Sequence, residues 1–216
     1  MTGIIDYNAG NIRSVELALR ALGADYRVSK KPADLEGADR LIFPGVGEAK
    51  FAMAELRSSG IDSFLRDWAA SGRPLLGVCL GSQIIFEHSE ESDTPCLGIL
   101  PGVVRRFPAD FPALGRKIPH MGWNDLAWRN GGSSLFDGVP EGTAAYFVHS
   151  YYVEPADPSM VTATVDYGFP VPAAVKKDNV EAFQFHPEKS GEYGLRMLAN
   201  FARVPFEPRV GGGISC

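Results

Sequence analysis

A cysteine between two glycines is the residue of this chain best suited to nucleophilic chemistry. Cys79 follows the apolar run at 75–78, and Gly77 and Gly81 lie two positions away on either side. The apolar run predicts a buried strand, and the residues at 84–86 indicate the helix that follows it. Glycines permit a sharp strand-to-helix turn, and the positive end of the helix favours a thiolate. The pattern indicates a nucleophile elbow with sulfur in place of a serine hydroxyl.

A histidine and a glutamate complete a possible set of catalytic groups. His186 and Glu188 lie two residues apart, far along the chain, and in an extended backbone such side chains point the same way. Glu188 can then hold one imidazole nitrogen while the other faces Cys79. Nucleophile, base and orienting carboxylate together predict a triad. The competing interpretation is that Cys79 is a small buried apolar side chain, as free cysteines often are.

Two more segments follow predicted strands and would lie at the carboxyl edge of a parallel sheet. The glycine-rich loop at 43–47 either only connects a strand to a helix or directs backbone N–H groups at an oxyanion. An oxyanion hole would also use the N–H group after the nucleophile, that of Leu80. His149 ends a strand predicted at 144–148 and on its own indicates only a satisfied polar group.

Composition limits the class of protein. A chain of 216 residues can form one large α/β domain, and its net charge of −5 argues against nucleic-acid or anionic-membrane partners. No apolar run reaches the roughly 18 residues that span a bilayer, and the N-terminal residues do not resemble a signal peptide. The three cysteines show no metal or disulfide spacing, which fits a reducing compartment. We expect a soluble cytoplasmic protein without a metal site or a cofactor.

The order of hydrophobic patterns predicts an α/β fold. Apolar runs at 3–6, 26–28, 41–43 and 75–78 alternate with helical spacing at 12–22 and 64–68, which implies a parallel sheet covered on both faces. After Pro95 the strand-like stretches are 103–107, 118–128, 144–153, 160–165, 173–175 and 180–185. A last helix begins near Ser190, a suitable N-cap residue. We predict one domain over 1–205 and a flexible tail over 206–216.

Further motifs resemble a known family. They are Asp-Tyr-Asn-Ala-Gly-Asn-Ile at 6–12, Pro-Gly-Val-Gly at 44–47, His-Met-Gly-Trp-Asn at 120–124 and His-Pro-Glu-Lys-Ser at 186–190. With the elbow they resemble the class I (triad) glutamine amidotransferases, in the branch of glutaminase subunits of imidazole glycerol phosphate synthase in histidine biosynthesis. The resemblance implies an open, three-layer, mostly parallel sheet with helices on both faces and added antiparallel strands. One departure is Ser82, where relatives often carry methionine or histidine.

The resemblance also implies the chemistry and the residues that perform it. Cys79 would attack the carboxamide of glutamine, His186 would protonate the leaving ammonia and activate water, and Glu188 would hold the histidine tautomer. Ammonia would pass to a separate (βα)8-barrel cyclase subunit, which makes imidazole glycerol phosphate and AICAR. The oxyanion hole would comprise Leu80 with Val46 or Gly47. The substrate residues implied are Gln83, Glu91 and the backbone near His149, Ser150 and Tyr151, and the docking-face residues are Asn11, Trp123, Tyr146 and Lys189.

Two other classes of protein would share part of this pattern. A thiol hydrolase or peptidase of similar fold could carry Cys79 and His186 but has no reason to carry the motif around Trp123. A non-catalytic binding subunit would keep the scaffold and lose a triad member, and no member is missing. A glutaminase assay with and without the synthase separates the three hypotheses.

Overall fold

A computed structural model of the chain describes residues 1–8 and 11–206. The tail predicted at 206–216 lies outside the described residues except for Phe206. Cys216 and two residues of the N-terminal motif, Ala9 and Gly10, also lie outside them.

The described residues contain fourteen strands and six α-helices. The strands are β1 (Thr2–Ile5), β2 (Tyr26–Ser29), β3 (Arg40–Gly45), β4 (Leu75–Cys79), β5 (His88–Ser89), β6 (Thr94–Pro95), β7 (Gly102–Arg106), β8 (His120–Asp125), β9 (Ala127–Trp128), β10 (Ala144–His149), β11 (Tyr151–Pro155), β12 (Val161–Asp166), β13 (Pro170–Lys177) and β14 (Val180–Phe183). The helices are α1 (Ile12–Ala21), α2 (Pro32–Leu35), α3 (Ala49–Ser59), α4 (Ile61–Ala70), α5 (Leu80–Ile84) and α6 (Gly191–Ala202). Short 3-10 turns occur at Glu91–Asp93, Phe111–Leu114, Ser134–Phe136, Pro158–Met160 and Pro187–Lys189.

An eight-stranded sheet organises the fold, with the strand order β2-β1-β3-β4-β14-β13-β12-β9. Its pairings are parallel from β2 through β14, and β13, β12 and β9 add antiparallel pairs. A four-stranded sheet, β11-β7-β5-β6, and the pair β10-β8 lie beside it. The predicted mostly parallel sheet with added antiparallel strands is confirmed, although the stretches at 118–128 and 144–153 each form two strands.

Helices cover both faces of the large sheet because neighbouring residues of its strands face opposite ways. On one side Ile5 and Phe43 join a core with residues of α3 and α4. On the other side Ile4 and Ile42 join a core with residues of α1 and α6. Trp68 of α4 is fully buried, and its indole N–H donates to the carbonyl of Pro74. The elbow strand β4 is therefore held between two apolar layers.

One local prediction is wrong, and another is confirmed in position only. The elbow helix α5 begins at Leu80 and ends at Ile84, so the residues at 85–86 follow the helix. Ser190 occupies the N-cap position of α6 but makes no capping hydrogen bond. Its hydroxyl instead donates to the carbonyl of His186 (2.6 Å) and accepts from the N–H of Tyr146 (3.0 Å). The side chain therefore joins β10 to the segment after β14.

Candidate active site

Three neighbouring parallel strands bring the predicted catalytic segments to one edge of the sheet. The glycine-rich segment at 43–47 begins within β3 and continues past its end at Gly45, Cys79 ends β4, and His186 comes shortly after β14. Because these strands are adjacent and parallel, their carboxyl ends lie side by side, where open α/β sheets bind ligands.

The turn at Cys79 has the strained geometry of an elbow. Its φ of 54° lies in the left-handed region, which residues other than glycine rarely adopt. A Cβ atom on Gly81 would lie 1.9 Å from the carbonyl oxygen of Phe43, and one on Gly77 would lie 2.9 Å from that of Gly81. Both glycines are therefore required for helix α5 to pack against β3 and β4 directly behind the nucleophile position.

His186 and Glu188 are in contact, but not through an extended backbone. The segment Pro187–Lys189 is a 3-10 turn, so the predicted strand-like geometry is wrong. Within that turn the imidazole Nδ1 and the carboxylate Oε1 lie 2.8 Å apart, and the two side chains are only 2 % and 1 % exposed. The carboxylate thus holds Nδ1 and leaves Nε2 as the nitrogen available to Cys79.

The neighbours of His186 determine its charge. Burial by itself lowers the pKa of this imidazole, but the side chains of Cys79 and Glu188 outweigh that effect and raise the pKa to about 10. Nε2 is buried and makes no hydrogen bond of standard geometry within residues 1–8 and 11–206. The imidazole is therefore protonated at neutral pH and lies beside the sulfur.

A cavity of about 400 Å³ opens at this edge of the sheet. Cys79, Leu80 and His186 line it together with the oxyanion-loop residues Val46 and Gly47. The predicted substrate residues line the same cavity: Gln83, Glu91, His149, Ser150 and Tyr151. The structure therefore gathers around one space every residue that the sequence analysis assigned to the nucleophile, its base, the oxyanion hole and the substrate.

Several of these side chains are already engaged by the protein. Nε2 of Gln83 donates to the carbonyl of Tyr151 (3.0 Å) and to Oε1 of Gln184 (2.8 Å). Oε2 of Glu91 accepts from the N–H of Ala49 (2.7 Å), and burial raises the pKa of Glu91. Gln83 therefore offers the cavity its oxygen rather than its amide hydrogens, and Glu91 ties the elbow region to the start of α3.

The imidazole of His149 points into a buried pair with His120. Its Nδ1 lies 2.7 Å from the carbonyl of Tyr151, and its Nε2 lies 2.9 Å from Nδ1 of His120. Burial lowers the pKa of His149 to about 3 and that of His120 to about 4. Backbone groups near His149, rather than its imidazole, are therefore the groups left for a substrate, and their role in binding stays a prediction. The sequence analysis gave His120 no role, and only the alternation of buried residues along β8 could have signalled one.

Three of the four predicted docking residues lie together at the surface, with Trp123 and Lys189 exposed and Tyr146 half-buried. Trp123 and Tyr146 are cross-strand neighbours with ring centroids 6.0 Å apart, and Nζ of Lys189 lies 5.9 Å from the Tyr146 ring. Trp123 is 58 % exposed. The fourth, Asn11, instead donates through Nδ2 to Oε1 of Glu188 (3.0 Å). The N-terminal motif therefore contacts the predicted triad, a contact that sequence spacing does not reveal.

Tyr7 is a further residue that the sequence analysis missed. Its hydroxyl is buried and has no hydrogen-bond partner among the described residues, and burial, then Cys79, raises its pKa. A Cβ atom on Gly45 would lie 2.4 Å from this hydroxyl. The start of the oxyanion loop is thus packed directly on Tyr7, which only a glycine permits.

Comparison with known proteins agrees with this geometry. Residues 3–204 match the family described as Glutamine amidotransferase class-I, and the chain belongs to that family. A solved structure described as a glutamine amidotransferase is 26 % identical with a TM-score of 0.72, over 94 % of this chain and 99 % of that one. The PurLQS structure from Thermotoga maritima has the same TM-score at 19 % identity, over 94 % of this chain and 97 % of that one, and so shows the fold alone.

Sequence relatives indicate which branch of the family this chain belongs to. The protein named Imidazole glycerol phosphate synthase subunit HisH is 44 % identical in Dehalococcoides mccartyi, over 94 % of this chain and 97 % of that protein. Its namesake in Desulfitobacterium hafniense is 48 % identical over 94 % of each chain, and that of Herpetosiphon aurantiacus is 42 % identical over 99 % of each. Within its family this chain is therefore of the HisH kind, and the resemblance seen in the sequence is confirmed. Among the described residues, no helix is long and apolar enough to cross a membrane.

Proposed function

We propose that the chain hydrolyses glutamine to glutamate and ammonia, with Cys79, His186 and Glu188 as its catalytic residues. The observation that carries the proposal is the 2.8 Å contact between His186 and Glu188 together with the strained turn of Cys79, since Cys79 and His186 line the same cavity. A nucleophile, a proton carrier and an orienting carboxylate are what acyl transfer from an amide requires.

In the first step, the sulfur of Cys79 attacks the carboxamide carbon and a tetrahedral oxyanion forms. The N–H of Leu80, the first residue of α5, where N–H groups lack partners within the helix, and a backbone N–H of Val46 or Gly47 stabilise that charge. Collapse breaks the C–N bond, leaves a γ-glutamyl thioester and releases ammonia. Water then attacks the thioester carbon, and cleavage of the C–S bond yields glutamate.

The charge on His186 suits its two roles. While the sulfur is anionic, it and Glu188 keep the imidazole protonated. Once the sulfur has bonded to the substrate, its charge is gone and the imidazole releases its proton to the leaving nitrogen. The neutral ring then takes a proton from the attacking water. Glu188 holds Nδ1 throughout, so Nε2 carries both transfers.

The surface that carries the docking group is where we expect a partner subunit to receive the ammonia. We assign the face with Trp123, Tyr146 and Lys189 to a (βα)8-barrel cyclase subunit, which uses the ammonia to make imidazole glycerol phosphate and AICAR in histidine biosynthesis. The relatives bear the name of a synthase subunit, and exposed aromatic residues are common interface anchors. A reducing compartment keeps a free thiol such as Cys79 from oxidation, and we assign the reaction to the cytoplasm. We assign hydrolysis to a single domain at 1–205, without the tail at 206–216.

The test is glutamate release from the chain with and without the cyclase subunit and its nucleotide ligand. We expect slow release from the isolated chain and faster release from the loaded complex. A peptidase of the same fold would cleave peptides in preference to glutamine, and a non-catalytic subunit would release no glutamate under either condition. Removal of 206–216 should leave the rate unchanged.

A further inference from the structure

Four polar groups form a chain of hydrogen bonds between β8 and the wall of the cavity. Nδ2 of Asn124 lies 3.3 Å from Nε2 of His120, and Nδ1 of His120 lies 2.9 Å from Nε2 of His149. Nδ1 of His149 then lies 2.7 Å from the carbonyl oxygen of Tyr151. The same carbonyl accepts from Nε2 of Gln83. The chain therefore ends on a peptide that the elbow helix α5 also holds.

The groups at the two ends of this hydrogen-bond chain determine which atom donates and which accepts in every bond between them. At one end the amide of Asn124 is oriented by two other bonds, because Nδ2 donates to the carbonyl of Asp166 (3.0 Å) and Oδ1 accepts from the N–H of Asp125 (2.9 Å). Nε2 of His120 must then accept, which puts its proton on Nδ1.

At the other end, the Tyr151 carbonyl can only accept. His149 must therefore carry its proton on Nδ1 and accept at Nε2, which is what a donating Nδ1 on His120 requires. Each imidazole is neutral and has one defined tautomer. Burial, which lowers the pKa of both rings, supports the neutral state that the geometry demands.

The hydrogen-bond chain begins on β8, the strand that carries Trp123 of the docking group. His120, Gly122 and Asn124 share one face of β8, while Met121 and Trp123 on the other face are strongly exposed. His120 is itself fixed by rings stacked on it: the centroid of Phe147 is 4.8 Å away and that of Tyr167 is 4.0 Å away. Little freedom remains for the imidazole to move independently of the strand.

We propose that His120 is a positioning residue for glutamine binding: through His149 it holds the Tyr151 carbonyl against Gln83, and so joins the docking strand to the cavity wall. This inference rests on the proposed function, since Ser150 and Tyr151 form the wall where the ends of glutamine are expected to bind. Without this hydrogen-bond chain, the Tyr151 carbonyl loses support from one of its two side-chain donors, His149 and Gln83, while the N–H of Phe107 still holds the carbonyl of Ser150. The cavity then binds glutamine less tightly, although the nucleophile and His186 keep their places.

The test compares three variants in the complex with the cyclase subunit. His120→Phe keeps an aromatic ring for the stack but leaves Nε2 of His149 without a donor. His120→Asn offers an amide donor near the position of Nδ1. Tyr167→Phe is the matched control, because it keeps the ring against His120 and removes only the hydroxyl that donates to the carbonyl of Lys117.

We expect His120→Phe to raise the KM for glutamine by roughly 5- to 100-fold, the effect of one unsatisfied buried acceptor, with a much smaller change in kcat. His120→Asn should recover most of the affinity, and Tyr167→Phe should resemble the wild type. In the wild-type chain, NMR should show a His120 Nδ1 proton shifted far downfield and slow to exchange, which is lost in His120→Phe.

An unchanged KM in His120→Phe would overturn the inference. So would a fall in kcat at constant KM, or equal damage from Phe and Asn, since each indicates a role in packing alone. The proposed function fails separately, if the wild-type complex releases no glutamate. The Kd of glutamine, measured by calorimetry on the same variants, then decides the inference on its own.

Discussion

Two buried histidines at one cavity differ in charge at neutral pH: His186 is protonated and His149 is neutral. His186 is 2 % exposed and has a pKa of about 10, whereas His149 is 5 % exposed and has a pKa of about 3. Burial opposes the charged form of both rings, so burial alone cannot account for the difference. The neighbours do: His186 lies between a cysteine and a carboxylate, and His149 lies between a carbonyl and a neutral imidazole.

The difference separates two uses of one side chain. A ring with a raised pKa and anionic neighbours can hold a proton and release it when a neighbour loses its charge. A ring that stays neutral with a fixed tautomer can only orient its hydrogen-bond partners, because each nitrogen is bound to one of them. The first suits proton transfer, and the second suits the positioning of backbone around a substrate.

Removing the sulfur of Cys79 should have the largest effect on the difference between His186 and His149. Cys79→Ser should lower glutamine hydrolysis by roughly 10⁴- to 10⁶-fold, the scale of losing a triad nucleophile. The pKa of His186 should also fall, because the largest influence that opposes burial is gone. Glutamate release and an NMR titration of the imidazole measure the two effects.

Two controls accompany Cys79→Ser. The variant complex should still make imidazole glycerol phosphate when ammonium salt is supplied, because only the source of ammonia is lost. Hydrolysis should not depend on Cys96, which lies outside the cavity, and alkylation of this thiol should be slow because burial raises its pKa to about 11. Substantial activity in Cys79→Ser would show that another group is the nucleophile.

A milder change is to remove the charge of the carboxylate and keep its shape. Glu188→Gln should reduce hydrolysis by on the order of 10⁴-fold or less, because the nucleophile and oxyanion hole remain while the imidazole loses an anionic partner. Rates at saturating glutamine give the comparison with Cys79→Ser. A loss equal to that of Cys79→Ser would mean that Glu188 does more than orient His186.

The partner should act on the oxyanion side of the cavity. The Val46 peptide lies between two glycines, so it can rotate with little hindrance. A resting position that directs its N–H away from the oxyanion would lower the rate by ~10²–10³-fold. Loaded cyclase should therefore stimulate glutamate release by at least about that factor. Full activity in the isolated chain, unaffected by partner or ligand, would refute this mechanism.

Trp123→Ala tests the docking face within the same assay. We expect weaker docking or weaker stimulation, with a change of about 2 kcal/mol or more if this aromatic is an interface anchor. Lys177→Ala is the matched control, because it removes an exposed side chain beyond the opposite end of the central strands. Glutamate release measured at increasing concentrations of the cyclase subunit gives both the affinity of docking and the degree of stimulation. Equal effects of the two variants would place the interface elsewhere.

A further effect concerns stability and pH. The unfolded chain protonates His149 near pH 6.5, but the folded chain does so only near pH 3. Between these values the unfolded state binds more protons, so the free energy of unfolding should fall by up to about 1.4 kcal/mol per pH unit as the pH decreases. His186 has the opposite sign: its contribution is complete below pH 6.5 and is lost as the pH rises towards 10.

Urea unfolding from pH 3.5 to 9.5 measures how the free energy of unfolding changes with pH on the acidic and on the alkaline side of pH 6.5. His149→Asn should make the fall in stability below pH 6.5 less steep, with His120, whose pKa is also lowered, supplying the slope that remains, and should leave the alkaline part of the curve unchanged in shape. Parallel curves for wild type and variant would show that His149 does not titrate as its surroundings indicate.

The sequence predicted the elbow well because its causes are local. Gly77 and Gly81 stand next to the turn that requires them, and the apolar run before Cys79 can hardly form anything but a buried strand. The pairing of His186 with Glu188 was also correct, although a 3-10 turn rather than an extended backbone produces it. Short separations along the chain leave few alternative geometries.

Contacts between distant segments could not be predicted in the same way. The bond from Asn11 to Glu188 spans 177 positions, and the His120–His149 pair forms only because β8 and β10 are antiparallel with these residues in register. A one-residue shift of that register would turn His120 to the docking face. Hydrophobic patterns locate strands but seldom fix such pairings.

The position of β14 has a consequence for synthesis on the ribosome. This strand lies between β4 and β13 in the sheet, yet it is made about a hundred residues after Cys79. At the usual ~5–20 residues per second, the elbow strand waits roughly 5–20 s with one edge unpaired. Throughout that interval the nascent chain has a nucleophile position but no base beside it. It therefore cannot hydrolyse glutamine before its last third has emerged, and its open strand edge is a ready binding site for a chaperone.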